Sequence, residues 1–427
     1  MIYIAVMGHG VVGSGVVEVF YKNLENLSAK CGSEMDIKYI LDIRDFPDSP
    51  YKDKFTKSFD DILNDSDISI VVEVMGGLEP AYSFVKRCLL AGKSVVTSNK
   101  ELVAMKGFEL LSLSRDNNVN FLFEASVGGG IPVIRPIAQC LAANDITEIA
   151  GILNGTTNFI MTKMIKDQMS FKDALCLAQS LGYAECDPSA DVEGDDTCRK
   201  ICILASLAFG KHVYPRQVFT QGITGIHLED VSYAESLGHA IKLIGRAVRL
   251  YDGHLSVTVY PALISKDCQL ASVDDVFNAI MVRGDATGDV VFYGKGAGKL
   301  PTASAVIADV MDCVKHISAR KYLYWQDGED GYVADYRLDE HAFYVRGTSQ
   351  IDVTSAMLGG LVAGASAEVL DKIRETFGTV RFVGRQDAND GEIVFITGVM
   401  REAAFTQALD RLKDFLNPES VLRVMDY

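Results

Sequence analysis

The sequence predicts an α/β chain with a doubly wound parallel sheet at the N-terminus, a central α+β segment and a small C-terminal module of ferredoxin-like order. Three observations carry this prediction. Strand-like and helix-like segments alternate over residues 1 to about 135, the pattern of a parallel sheet covered by helices. From about residue 145 the alternation gives way to an α+β mixture of helices and strands, and from about 335 the order reads βαββαβ. At 427 residues the chain exceeds one ordinary core, so two or three domains are expected.

Taken in order, "MIYIAVMG" is an apolar run closed by glycine, as a buried parallel strand is. "VVGSGVVEVFYKNL" then sets Val12, Val16, Val19 and Phe20 at helical spacing. "IKYILDI", "ISIVVEVMGG", "SVVTSNK" and "VNFLFEASV" follow as strands, and "EPAYSFVKRCLLAGK" is a helix ending in glycine and lysine. In the middle, "ITEIAGILNGTTNFIMTKMI" reads as strand, tight turn and helix. "SFKDALCLAQSLG" and "DDTCRKICILASLAFG" read as amphipathic helices, and "LSVTVYPALIS" and "DVVFYGKGAG" as strands. "TASAVIADVMDCVKHI" is a helix expected to return to the first domain. The tail gives strand "HAFYVRG", helix "DVTSAMLGGLVAGA", strands "TVRFVGR" and "EIVFITGV", helix "AAFTQALDRLKDFL" and an end near "SVLRVMDY". The expected domains are 1–135 with a return helix near 301–320, 136–320, and 335–427.

Bulk properties exclude some classes of partner. A net charge of −16 repels phosphate backbones and anionic lipid surfaces, so neither nucleic acid nor membrane is expected as a partner. An anionic ligand then needs a local device such as a helix N-terminus or a placed cation. The nine cysteines form no CxxC pair and no disulfide frame, which points to reduced thiols and a cytoplasmic location. The opening "MIYIAVMGHGVVG" lacks a basic leader region, and no run reaches the roughly 18 apolar residues of a membrane span.

The motif that carries binding chemistry comes first in the chain. Gly8, Gly10 and Gly13 stand as G-H-G-V-V-G between an apolar strand and a helix, with Val11 and Val12 inside the loop. The first glycine permits the turn, the second lets a pyrophosphate approach the backbone, and the third lets helix and strand pack closely. This is the Rossmann-type dinucleotide fingerprint in its required context. His9, within the loop, reads as a solvent-facing turn residue. After the second strand, "LDIRDF" offers both an acid for a ribose hydroxyl, Asp42, and an arginine for a 2′-phosphate, Arg44. Their spacing of two puts them on one side of a strand, and the choice between NAD and NADP stays open. "EVMGG", with Met75, closes the third strand at the cofactor end, and "TSNK" puts Lys100 at the carboxyl edge where open sheets bind ligands.

"VVEVMGG", "SVVTSNKELVA", "FEASVGGGIPVI", "GILNGTTNFI", "GYAECDP", "DVEGDDTCRK" and "GKGAGKLPTASAV" resemble, in order, the signature blocks of homoserine dehydrogenases over residues 1 to about 320. The resemblance implies reversible NAD(P)H-dependent reduction of L-aspartate 4-semialdehyde to L-homoserine, within aspartate-derived amino-acid biosynthesis. It implies a substrate-binding and dimerising central domain and an ACT-like tail. On the matching positions it implies Glu185 as the substrate-binding acid and Asp196 as a second family acid, and Asp191, near them in sequence, is a further candidate for the substrate. Lys200 would be the proton donor and acceptor, and Lys100 its support. It places Gly182, Gly296 and Gly298 near the cofactor, and the carbonyls of Glu124, Val127, Gly129 and Ile131 around a sodium or potassium ion. A homodimer or homotetramer acting on a small amino-acid substrate is expected.

The acid-rich run "GYAECDPSADVEGDDTCRK" contains lesser roles as well. Asp195 reads as the N-cap of its helix and Asp187, before Pro188, as a turn former. Asp191 would orient Lys200 or Glu185, or lie solvated. "NGTTN" would meet the substrate carboxylate or merely cap the next helix. An EF-hand is excluded by the acid spacing. The tail lacks the family's "DRPG" turn, reading "VRGTSQIDVTSAML" instead, so feedback binding of an amino acid does not follow. Two rival readings remain open at this point: a dehydrogenase of another amino-acid aldehyde, and a non-catalytic nucleotide sensor.

Overall fold

The structure, a computed structural model, describes residues 1–319, 321–350, 367–385, 388–389 and 391–425. The chain runs β1 (Ile2–Met7), α1 (Val11–Cys31), β2 (Met35–Leu41), β3 (Phe55–Thr56), α2 (Phe59–Leu63), β4 (Ile68–Glu73), α3 (Ala81–Leu90), β5 (Ser94–Thr97), α4 (Lys100–Asp116) and β6 (Phe121–Leu122). It continues with β7 (Ile146–Ile152), α5 (Gly155–Asp167), α6 (Phe171–Ser180), α7 (Ser189–Val192), α8 (Asp195–Phe209), β8 (Phe219–Thr220), α9 (Leu228–Ser236), β9 (His239–Arg249), β10 (Leu255–Ser265), β11 (Phe277–Gly284), β12 (Gly288–Lys295) and α10 (Lys299–Lys315). The tail holds β13 (Glu340–Ser349), α11 (Ala367–Phe377), β14 (Val380–Phe382), β15 (Glu392–Thr397), β16 (Met400–Arg401), α12 (Glu402–Asp410) and β17 (Leu416–Met425).

The described chain packs as two units. The first holds Met1–Leu153, Arg199–Gln217 and Asn278–Tyr332. Its sheet is parallel with order β3-β2-β1-β4-β5-β6, the doubly wound order in which the chain reverses direction between β1 and β4. The core strands are apolar on both faces: Ile4, Ala5, Val6 and Met7 of β1 and Ile70, Val71 and Val72 of β4 are all buried. The return helix α10 lies against α1, and Gly15 makes the approach close. A Cβ there would sit 2.8 Å from the Lys299 carbonyl oxygen and 3.2 Å from the Ala303 Cβ. A second, smaller group of strands in this unit pairs β7 antiparallel to β11, with β12 outside it.

The second unit holds Asn154–Cys198, Val218–Phe277 and Val333–Tyr427, within which the described residues end at 425. Its strands follow the order β9-β10-β17-β13-β15-β14. Within the tail that is β17-β13-β15-β14, a fourth-first-third-second arrangement over a core of Phe343, Val345, Val369, Phe395 and Phe405. The last strand, β17, also pairs parallel to β10, so it belongs to the tail and to the central sheet at once.

The structure corrects several readings. β3, β9 and β11 are strands that the sequence pattern does not announce. β9 reads poorly as a strand because Lys242 interrupts it, yet Lys242 is buried with its ammonium on the Asn158 Oδ1 at 3.1 Å and the Val273 carbonyl at 2.5 Å. "VNFLFEASV" yields only the two residues of β6, because the chain turns into a 3₁₀ segment at Glu124–Ser126. β2 stops at Leu41, so Asp42 and Arg44 lie beyond the strand rather than on it. The helix expected at 352–365 lies outside the described residues.

Candidate active site

The glycine loop performs the three tasks its spacing suggests. Gly8 adopts φ +101°, open to glycine but rarely to other residues. A Cβ on Gly13 would stand 1.9 Å from the Gly8 carbonyl oxygen, so helix and turn meet only without a side chain. A Cβ on Gly10 would meet nothing within 4 Å, which leaves open space at the N-terminus of α1. Val11 is 70% exposed at that end and Val12 half-buried. Beside the loop is a cleft of about 470 Å³ lined by Gly8, Gly10, Asp42, Arg44, Lys57 and Met75 among others, at the β1/β4 switch point.

Asp42 and Arg44 do act together, by direct pairing. Arg44 Nε and Nη2 each lie 3.0 Å from an Asp42 carboxylate oxygen, and the His9 amide donates to the same carboxylate at 2.8 Å. The guanidinium and the two backbone amides hold the Asp42 carboxyl far below the usual carboxylate range, against the opposing effect of burial. His9 is not the solvent-facing residue expected. Its ring packs edge-on against Phe46 and Phe55, centroids 4.8 and 5.0 Å away, and burial lowers its pKa. Lys57, which sequence reasoning missed, enters the cleft from beyond β3, thirteen residues past Arg44.

The ends of β4 and β5 are tied by one buried acid. Glu73 accepts the Met75 amide at 2.8 Å and the Thr97 hydroxyl at 2.6 Å, and burial raises its pKa. Asn99 caps α4 by accepting from the Leu102 amide at 3.1 Å and reaches the Gly77 carbonyl at 2.6 Å. Lys100 is therefore the first residue of α4 rather than the last of a strand. Its neighbour Glu101 pairs with Arg199 at 3.3 Å, which brings the start of α4 beside the stretch of α8 that carries Lys200. Lys200 is 7% exposed, and its Nζ donates to the Leu153 carbonyl at 2.7 Å. It does not point into bulk water.

Also in the first unit, Glu124 cinches its own loop. Its carboxylate accepts the amides of Val133, Ile134 and Arg135 at 2.6, 2.7 and 2.9 Å, and its own amide donates to Asp309 at 2.8 Å. Gly129 (φ +56°) touches the other glycine loop, where a Cβ would lie 2.2 Å from the Gly296 carbonyl oxygen, and the Gly130 amide donates to the Lys295 carbonyl at 3.1 Å. Val127 and Ile131 are buried in the same loop, and Gly298 (φ +128°) precedes α10. Among the described residues no cluster of His, Cys, Asp and Glu side chains has the makings of a metal centre.

In the second unit the acids are organised by the block that sequence reasoning left aside. The Asn154 side-chain amide donates to Asp191 at 2.7 Å and to Asp196 at 2.8 Å, while its Oδ1 caps α5 through the Thr157 amide at 2.8 Å. Thr156 donates to the Tyr183 carbonyl at 2.7 Å, which fixes the turn carrying Gly182 (φ +73°) and the exposed Glu185. The hub was visible only as "NGTTN", whose capping residues explain themselves locally. Asp191 is thus held by Asn154. Asp187 does form its turn, accepting the Ser189 amide at 3.1 Å. Asp195 is not the cap: it is the first residue of α8, and the Cys198 amide donates to the Gly194 carbonyl at 2.8 Å. Asp196 and Lys200 fall one turn apart on that helix.

A doubly wound sheet with an open glycine cradle at its switch point defines a dinucleotide-binding class, and the comparisons with known proteins narrow it to an enzyme family. Residues 8–124 match the family described as "Homoserine dehydrogenase, NAD binding domain", and residues 132–311 match "Homoserine dehydrogenase". A homoserine dehydrogenase of Bacillus subtilis is 41% identical over 322 residues, covering 74% of this chain and 73% of the relative. The crystal structure of a homoserine dehydrogenase from Thiobacillus denitrificans superposes with TM-score 0.87 at 33% identity, over 100% of this chain and 98% of that one. A hyperthermophilic archaeal homoserine dehydrogenase in complex with NADPH gives TM-score 0.63 at 26% identity, over 75% of this chain and 99% of that one. The chain belongs to the homoserine dehydrogenase family, a family of oxidoreductases, and neither rival reading is favoured.

Proposed function

We propose that the chain interconverts L-homoserine and L-aspartate 4-semialdehyde with NADP(H), using Lys200 as the proton-transferring group. The observation that carries the reading is the buried Lys200 ammonium, held by the Leu153 carbonyl in the same unit as the open glycine cradle. Gly8, Gly10, Val11, Val12, Gly13 and Met75 would hold the dinucleotide, which when bound would supply or accept the hydride, and the family resemblance adds Gly182, Gly296 and Gly298 to that set. Lys200 gives its proton to the oxygen of the aldehyde as negative charge develops there, and takes the hydroxyl proton in the reverse direction. Asp196, one turn earlier on α8, keeps that side chain directed, and Lys100 supports the transfer. Glu185 and Asp191 accept hydrogen bonds from the substrate ammonium, and Asn154 holds Asp191 in place for this.

The cofactor is NADP rather than NAD. Arg44 and Lys57 both line the cleft, and the Asp42 carboxylate is already engaged by Arg44 and the His9 amide. A 2′-phosphate would meet Lys57 and an Arg44 able to exchange Asp42 for it, whereas a bare ribose would have to displace Arg44 from the acid. The relative bound to NADPH supports the same choice. Carbonyls of Glu124, Val127, Gly129 and Ile131 would hold a sodium or potassium ion, which would order the loop, as hard oxygens suit such ions. We infer a cytoplasmic homodimer or homotetramer feeding amino-acid biosynthesis, with a dinucleotide domain at 1–135 joined by the return helix near 301–320, a substrate domain within 136–320 and an ACT-like domain at 335–427. Among the described residues, no helix is long and apolar enough to cross a membrane.

The test is homoserine oxidation run in parallel with NADP and NAD, beside aspartate 4-semialdehyde and other amino-acid aldehydes in the reducing direction. Turnover of homoserine and its semialdehyde, better with NADP, is expected. Turnover of a different aldehyde alone contradicts the reading.

A further inference from the structure

The second unit contains a continuous line of contacts from the last strand of the tail to the acids assigned above. Arg423, on β17, is 4% exposed. Its guanidinium lies 2.5 and 3.3 Å from the two carboxylate oxygens of Glu402, the first residue of α12. Its remaining nitrogen, Nη1, donates to the Gln221 side-chain oxygen. The same guanidinium stacks over Phe219 and Tyr260, 5.3 and 4.9 Å from the ring centroids. One planar cation from the end of the chain therefore grips both ends of a short strap, residues 219–221.

The strap bears on the acid-bearing turn. The Gln221 amide donates to the Val259 carbonyl at 2.8 Å, which fixes the strap to β10. The next residue is Gly222, and a Cβ there would lie 2.1 Å from the Val192 carbonyl oxygen and 2.5 Å from the Glu193 Cα. The Ile223 amide donates to that Val192 carbonyl at 2.8 Å. On the other side of the turn, a Cβ on Gly194 would touch the Thr220 Cγ2 at 3.0 Å. Val192–Gly194, with Asp195, forms the short link between Asp191 and Asp196, the two acids that Asn154 bridges. Backbone lies on backbone here, so a shift of the strap is transmitted to the turn with little slack.

We propose that Arg423 is a positioning residue for the substrate: through Gln221 and Gly222 it sets the turn that presents Asp191 and Asp196. The tail then serves the substrate site as a brace, whether or not it binds an effector. The inference rests on the assignment of Asp191 to the substrate and of Asp196 to the direction of Lys200, and it adds a residue more than 220 positions away from them to the same site.

The test uses the full-length protein with Arg423→Met, Gln221→Met and Gln221→Glu, the last keeping an acceptor for the guanidinium. Both methionine variants are expected to raise the homoserine KM roughly tenfold, with cofactor affinity little changed and any fall in kcat smaller than the rise in KM. Gln221→Glu restores the wild-type KM. Backbone hydrogen exchange over 189–196 rises in Gln221→Met and not in Gln221→Glu. A fall in Tm with unchanged homoserine KM and unchanged exchange over 189–196 makes the contact merely structural and overturns the proposal. Should Arg423→Met fail to fold, the two Gln221 variants decide. Should the wild type fail to oxidise homoserine, the substrate assignment falls, while the exchange measurement still tests the brace.

Discussion

The glycine cradle and the acid turn are built from different materials. The cradle is made of backbone: its open space, its tight turn and its close helix contact follow from missing side chains at Gly8, Gly10 and Gly13. The acid turn is made of side chains recruited from far apart, with Asn154 bridging Asp191 and Asp196 and Arg423 pressing from the chain end. A site made of backbone is encoded locally, and at Gly13, where turn and helix meet, it has no room for a side chain. A site made of side chains is encoded globally, and it can be weakened one bond at a time.

The sharpest break between them comes from paired glycine substitutions. Gly13→Ala puts a methyl against the Gly8 carbonyl and is expected to abolish dinucleotide binding in a fluorescence titration, whereas Gly10→Ala folds with wild-type Tm and loses only affinity. Equal damage from both would mean that the open space at Gly10 is not where phosphates sit. Arg44→Ala removes one charged partner and should cost NADP about 10- to 150-fold in affinity while sparing NAD, read from KM values for the two cofactors. Asn154→Ala leaves two carboxylates without their shared donor. The homoserine KM should rise about tenfold with cofactor KM unchanged, and an unchanged homoserine KM would remove the hub from the substrate site.

The smallest effect sharpens the comparison through pH. A backbone cradle does not titrate, but the first strand of the tail, β13, carries a group that does. His341 is buried beside Tyr260, and burial, then Arg246 and Arg423, push its pKa down to about 4. Its unfolded value is near 6.5, so the unfolded chain binds the extra proton between those limits. The stability this adds is present above about pH 6.5 and falls as pH drops toward 4, by at most about 1.4 kcal/mol per pH unit. His341→Gln should flatten that part of the Tm-against-pH curve, and an unaltered slope would show that another group sets it.

The same division explains what the sequence disclosed. β1, the glycine loop and α1 were legible because period and turn chemistry are local, and so were the tail strands β13, β14, β15 and β17, whereas α11 at Ala367–Phe377 was not read and the helix read at 352–365 lies outside the described residues. β9 was hidden because Lys242 looks like a surface residue until Asn158 and Val273 are seen around it. Lys57 was missed because β3 folds it back beside Arg44 from outside the fingerprint. Asn154 passed as a helix cap, which it is, because nothing local shows that its other end bridges two acids. Lys200 and Glu185 came from the resemblance. The structure adds that Lys200 is buried on the Leu153 carbonyl and that Glu185 sits on a turn pinned by Thr156.

The central claim concerns that lysine, and one measurement meets it directly: kcat for homoserine oxidation by Lys200→Ala, with NADP affinity titrated on the same preparation. Loss of a positioned proton-transfer group predicts a fall of about 10²- to 10⁴-fold in kcat with NADP bound as tightly as in the wild type. A kcat close to the wild-type value in a folded, NADP-binding variant would contradict the account.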